Sequence, residues 1–190
     1  MEELICRRLN RLIYRIRGII FSKRMLHCGE NLIVSHKTSL IGVQYFSFGQ
    51  NCFVGKDVYL ECIDSYQGEK FSPSLVLGDG AFLGDSSRIG CVGLITIGDN
   101  FTSGRRVSII DHNHGFGHVS ECEIPPLSRK LCYKGPVEIG NNVWVGENVV
   151  ILSGVRIGDN VTIGANSVVT TDIPDNTIAC GAPCRVVRMK

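Results

Sequence analysis

The run Asp111-His112-Asn113-His114-Gly115 puts a carboxylate and two imidazoles side by side in the chain. A neutral imidazole titrates near neutrality and can take the proton from a hydroxyl as that oxygen attacks an acyl carbonyl. Its other ring nitrogen must then be held by a carboxylate or carbonyl, and Asp111 is a candidate. A second chemistry is metal binding, because His112, His114 and His118 lie within seven residues. A metal shared between layers of a repeat needs ligands spread along the chain, and no histidine falls between His36 and His112. Other catalytic signatures are missing: there is no Gly-x-Ser-x-Gly elbow and no phosphate loop ending in Gly-Lys. Nine cysteines are scattered with no Cys-x-x-Cys pair. That argues against a zinc ribbon or a thioredoxin-like site and fits small core hydrophobes in a reducing cytosol.

The elements that must position these side chains are read from a short period. Ile139, Val145, Ile151, Ile157, Ile163 and Val169 are each six residues apart, and Gly140, Gly146, Gly158 and Gly164 follow four of them. Val137, Val143, Val149, Val155 and Val161 stand two residues before the aliphatic positions. A helix repeats every 3.6 residues and disfavours β-branched runs with regular glycines, and a plain strand alternates for longer before turning. A triangular solenoid satisfies the pattern: one flat strand and one corner per six residues, three units to a coil, coils stacked as parallel strands. Glycine or asparagine is expected to take the unusual backbone angles of the corners. The period extends upstream through Phe48, Val54, Leu60, Leu77, Leu83, Ile89, Ile97 and Ile109. It breaks at residues 62–74 and again at residues 111–136, where a long protruding loop is expected. Such insertions become surface loops, where function tends to sit.

The first twenty-four residues differ. Leu4, Ile5, Leu9, Leu12, Ile13, Ile16, Ile19 and Ile20 follow helical spacing, and Arg7, Arg8, Arg11, Arg15, Arg17, Lys23 and Arg24 fill most of the rest. The spacing predicts a basic amphipathic helix that caps the solenoid, lies on an anionic membrane surface, or does both. Residues 1–30 are therefore read as this helix and its lead-in, and residues 31–190 as the solenoid. The whole chain has 190 residues and a net charge of +2, which does not suggest a nucleic-acid binder. The N-terminal segment lacks the continuous apolar stretch of a signal peptide or membrane span. A cytoplasmic location is expected, with a peripheral contact at the inner face of the membrane.

These segments resemble the hexapeptide-repeat acyltransferases, in particular the maltose, galactoside and O-antigen acetyltransferases, and the O-antigen type most. The resemblance is carried by Asp111-His112-Asn113-His114-Gly115, by Val143-Trp144-Val145-Gly146-Glu147-Asn148-Val149, by Ile163-Gly164-Ala165-Asn166-Ser167-Val168-Val169, and by the tail Gly181-Ala182-Pro183-Cys184-Arg185-Val186-Val187. It covers roughly residues 75–188 well and residues 30–74 only as repeat. It implies a left-handed parallel β-helix that assembles as a homotrimer, with sites in the grooves between neighbours. It also implies acetyl transfer from acetyl-CoA to a sugar or cell-surface glycan hydroxyl, without a metal. By the resemblance the catalytic base falls on His114, with His112 second and Asp111 beside them. The CoA contacts fall on Trp144, Gly146, Ala165, Thr170 and Thr171, with phosphate contacts on Arg185 and Arg188. Thr171 replaces a frequent lysine, which implies one fewer phosphate contact. An acceptor-binding aspartate of the O-antigen type falls on Asp85, whereas Cys91 stands where the maltose type has a carboxylate. The competing readings are a non-catalytic solenoid scaffold or sugar-binding subunit, and a zinc protein of the γ-carbonic-anhydrase type.

Overall fold

The computed structural model describes residues 2–115 and 117–189; the side chains of residues 2–8, among them the sequence-predicted Leu4, Ile5, Arg7 and Arg8, lie outside the description. The chain winds into a left-handed parallel β-helix with three flat faces. Face one stacks His27–Cys28, Phe46–Phe48, Ser74–Leu77, Leu94–Ile97, Val137–Ile139 and Arg156–Ile157. Face two runs Ile33–Val34, Phe53–Val54, Phe82–Leu83, Thr102–Ser103, Trp144–Val145, Thr162–Ile163 and Thr177–Gly181. Face three carries Ser39–Ile41, Tyr59–Cys62, Arg88–Cys91, Ser108–Ile110, Val150–Ile151 and Val168–Val169. All these pairings are parallel, and in the C-terminal half Ile139 meets Ile157 and Val145 meets Ile163. The final strand, Cys184–Met189, folds back antiparallel on Thr177–Gly181.

The six-residue period is the core. Ile139, Val145, Ile151, Ile157, Ile163 and Val169 are all buried, as are Phe48, Val54, Leu60, Leu77, Leu83, Ile89, Ile97 and Ile109. A side chain that fills the prism interior leaves a cavity when truncated. Ile151→Ala is expected to cost about 2–5 kcal/mol, read as a lower denaturation midpoint at unchanged slope.

The corners divide the labour between two residue types in a way the expectation did not. Asn51, Asn100, Asn142, Asn148, Asn160, Asn166 and Asn176 take the left-handed conformation, with φ between 53 and 59°. Asparagine tolerates this region because its short side chain finds local partners. Here Asn142, Asn160 and Asn176 hydrogen-bond one another from coil to coil, at 3.3 and 3.0 Å. The repeat glycines serve proximity instead. A Cβ at Gly146 would sit 2.6 Å from the Ala165 backbone nitrogen, and one at Gly140 would sit 2.8 Å from the Gly158 carbonyl carbon. Bare Cα positions let the coils stack.

Both breaks in the period are hairpins. In the first, Ser65–Tyr66 pairs antiparallel with Glu69–Lys70 across Gln67 and Gly68, both at positive φ. In the second, His112–His114 pairs antiparallel with Leu131–Tyr133, and the connection carries short 3-10 turns at Val119–Glu121 and Pro126–Ser128. The N-terminal helix, Glu2–Ser22, lies against the first coil. Gly18 makes this approach feasible, because a Cβ there would lie 1.9 Å from the Leu32 carbonyl oxygen. Phe21 and Met25 pack on the core, and Tyr14 stacks on His36 with ring centroids 5.6 Å apart.

Candidate active site

The second hairpin leaves the prism at the edge between faces three and one, and its first two residues are fixed there. Asp111 is fully buried, with its carboxylate on the backbone of the preceding coil. Oδ1 accepts the Val92 N–H at 2.9 Å and Oδ2 accepts the Gly93 N–H at 2.8 Å. His112 Nδ1 lies 3.0 Å from Asp111 Oδ1, and the imidazole is only 8% exposed. A carboxylate can only accept there, so the ring's proton sits on Nδ1 and the lone pair on Nε2. The ring lies over Gly90: a Cβ on that residue would be 3.2 Å from His112 Cε1. Ser153 holds the other side, its hydroxyl donating to the Asp111 carbonyl. Tyr133, opposite His112 in the hairpin, covers Gly93, and burial followed by the Asp111 charge pushes its hydroxyl above the usual range.

His114, two residues on, is exposed and belongs to a different arrangement. Its ring meets Tyr66 edge-on at 5.4 Å, with Nδ1 3.3 Å from the Tyr66 hydroxyl. Tyr66 donates to the Leu127 carbonyl at 2.6 Å, Gln67 Nε2 donates to the same oxygen at 3.1 Å, and Lys130 pairs with Glu69 at 2.5 Å. The first hairpin thus latches the second, and His114 is part of the latch. Asp111 therefore holds the ring of His112 and not that of His114.

The remaining predicted residues fall on two other parts of the prism. Trp144 stands 52% exposed on the outer surface of face two, in line with Thr102 and Phe82 below and Thr162 above. Gly146, Ala165 and Asp85 mark the edge between faces two and three; the Asp85 carboxylate accepts the Lys56 N–H at 2.9 Å. Thr170 and Thr171 are exposed on the edge that carries Asp111. Arg185 and Arg188 are exposed on the C-terminal strand. The width of face three, roughly 15 Å for a five-residue strand, separates the Asp111 edge from the Gly146 edge within one chain.

Neither buried thiol near this region offers a second nucleophile. A hydrogen bond with Cys62 and burial push the Cys91 thiol far above its ordinary range, and burial pushes Cys52 up to about 11. The thiolate, which is the reactive form, is suppressed in both. Tyr66, Gly90, Tyr133 and Ser153 were not singled out from the sequence. Only Tyr66 carried a signal there, through its place in the first break of the period.

A six-residue-repeat prism with a buried Asp–His pair at one edge and an exposed tryptophan on a neighbouring face defines a hexapeptide transferase. Residues 136–171 match the family described as bacterial transferase hexapeptide (six repeats). The chain is 37% identical over 146 residues to the putative lipopolysaccharide biosynthesis O-acetyl transferase WbbJ of Escherichia coli K12, covering 75% of this chain and 70% of that protein. It is 35% identical over 148 residues to the galactoside O-acetyltransferase of the same organism, and there the match spans 57% of the relative's length. A solved galactoside acetyltransferase in complex with coenzyme A superposes with a TM-score of 0.57 at 30% identity, over 91% of this chain and 69% of that one. AntD, an N-acyltransferase from Bacillus cereus solved with dTDP and coenzyme A, shares the fold with a TM-score of 0.74 at 22% identity, over 90% and 88%. The chain belongs to the hexapeptide-repeat acetyltransferases.

Proposed function

We propose that the protein moves an acetyl group from acetyl-CoA to a hydroxyl of a sugar or cell-surface glycan unit, with His112 as general base and Asp111 orienting it. The observation that carries this reading is the buried Asp111–His112 pair, 3.0 Å apart, which leaves Nε2 as the acceptor. The names of the galactoside and lipopolysaccharide relatives support the acceptor class. Nε2 removes the acceptor's hydroxyl proton as the oxygen attacks the thioester carbonyl. The tetrahedral intermediate collapses, the carbon–sulfur bond breaks, and the CoA sulfur leaves with the proton returned by the imidazolium. No covalent enzyme intermediate is needed. This ordering of the two imidazoles reverses the expectation from resemblance.

Trp144, Gly146, Ala165, Thr170 and Thr171 are proposed to line the pantetheine and adenine path, and Asp85 to meet the acceptor. Because these residues occupy different edges of one prism, a single site needs two prisms side by side. We therefore propose a homotrimer, expected in light scattering at about three times the 20.8 kDa chain mass. A monomer would remove the shared groove. Acetyl-CoA is a cytoplasmic metabolite, so the reaction is assigned to the cytoplasm.

The test is release of CoA thiol from acetyl-CoA against free sugars, nucleotide sugars and lipid-linked oligosaccharides, with the acetylated product identified by mass. Acceptor-dependent release is the expected result, and no release with any of them would sink the reading. Arg185 and Arg188 are proposed to pair with the CoA phosphates. Changing both to alanine should raise KM for acetyl-CoA by about tenfold or more while kcat stays within about threefold, since charge-assisted contacts to a remote phosphate act on binding. An unchanged KM would take them out of the site.

A further inference from the structure

The N-terminal helix turns one face to the solenoid and a second, more apolar face away from it. Its inner face is fixed by Gly18 against Leu32, by the Tyr14 hydroxyl at His36 Nδ1, and by Arg17, which reaches the Thr38 carbonyl at 3.4 Å and lies over the Phe21 ring. The residues that give the helix its amphipathic spacing are on neither of these contacts. Leu9, Leu12, Ile13, Ile16, Ile19 and Ile20 are 43–57% exposed, and Leu26 just beyond the helix is 72% exposed. At about 100° per residue they fall in an arc of about 120°. A cap for the end of the prism has no use for such a stripe, and a contiguous apolar surface of this kind marks a contact site.

The charges around the stripe say what covers it. Arg11 and Arg15 are exposed along one border, and Lys23 and Arg24 are exposed at the helix end. The sequence holds no Asp or Glu between Glu3 and Glu30. A second copy of the helix would bring the same positive charges to the same face, whereas an anionic lipid surface meets both the stripe and its border. We propose that this face lies flat on an anionic bilayer, its aliphatic side chains at the boundary between headgroups and acyl chains and its arginines among the headgroups. The rigid inner contacts make the first coil the membrane-proximal end of the prism. The inference goes beyond acetyl transfer and stands independently of it.

The experiment is cosedimentation of the full chain with vesicles of phosphatidylcholine alone and of an equal mixture with phosphatidylglycerol. The full chain should bind the mixed vesicles at least about tenfold more tightly, and raised salt should release it. Arg11→Gln with Arg15→Gln should weaken that binding roughly 25-fold, at about fivefold per charge. Leu12→Gln with Ile16→Gln should weaken binding by about tenfold or more with every charge kept. All four positions face away from the solenoid core, so the thermal transition of each variant should stay where it is. No binding by the full chain, equal binding to both vesicle types, or unchanged binding by the apolar variant would each overturn the proposal. So would an apolar variant that shrinks the assembly in solution without losing lipid binding, which would make the stripe an interface between copies. Acetyl transfer to a soluble acceptor, measured on the same variants, reports separately on the Asp111–His112 site.

Discussion

His112→Ala should lower turnover by about two to four orders of magnitude, the usual worth of a positioned general base. The ring makes few contacts that the fold needs, since Gly90 offers it only a bare backbone surface and its sole printed hydrogen bond runs to Asp111. The variant should therefore fold, and its KM for acetyl-CoA should hold. His114→Ala is the informative partner. It removes the edge-on contact with Tyr66 and so loosens the latch, but it takes no group from the proton path. Its turnover should fall by no more than about tenfold. Steady-state kinetics on both variants, with saturating acetyl-CoA, decides the matter. A collapse with His114→Ala beside an active His112→Ala would hand the base to the other ring.

Asp111→Asn should be nearly as damaging, for a different reason. The new amide oxygen can keep accepting the Val92 and Gly93 N–H groups, so the corner is preserved. Its NH2 group then faces His112 Nδ1 as a donor. That pairing asks for a lone pair on Nδ1 and sends the ring proton to Nε2, the nitrogen that must accept. The same exchange in the serine-protease triad costs about four orders of magnitude through the tautomer alone. A loss of roughly three to four orders is expected here, with unfolding shifted by no more than about 1–3 kcal/mol for the altered buried hydrogen bonds. The two readouts separate the cases: low activity with a near-normal thermal transition indicates the tautomer, and low activity with a collapsed transition indicates a broken corner. Turnover within about tenfold of the parent would detach Asp111 from the reaction.

The prism was legible because its signal is local and repeated. Ile139, Val145, Ile151, Ile157 and Ile163 each state the same rule, and all are buried. The corner chemistry was only half legible. Asparagine and glycine recur together in the repeat, and only the stacked coils reveal that Asn142 and its kin bend the chain while Gly146 and its kin admit the next coil. The choice between His112 and His114 was not legible. It depends on two backbone amides, at Val92 and Gly93, that come from the coil before and carry no side-chain signature. Gly90 had the same defect: its bareness matters only because an imidazole from the next coil lies over it. The outward turn of the apolar stripe on the helix was likewise hidden, since periodicity marks a stripe but not the direction it faces.

The two hairpins on the Asp111 edge are separate insertions in sequence and one object in space. Tyr66, Gln67 and Glu69 from the first grip Leu127 and Lys130 of the second. Their hydrogen bonds leave the repeating coils untouched, so the pair can be exchanged without reworking the prism. Neither can be exchanged alone, because a foreign loop at 111–136 would meet a grip shaped for another. In engineering terms the unit of transplantation is the matched pair, 63–73 with 111–136, mounted on a scaffold that stays constant beneath it. A chimera built on one hairpin inherits an open seam at the mouth of its own site.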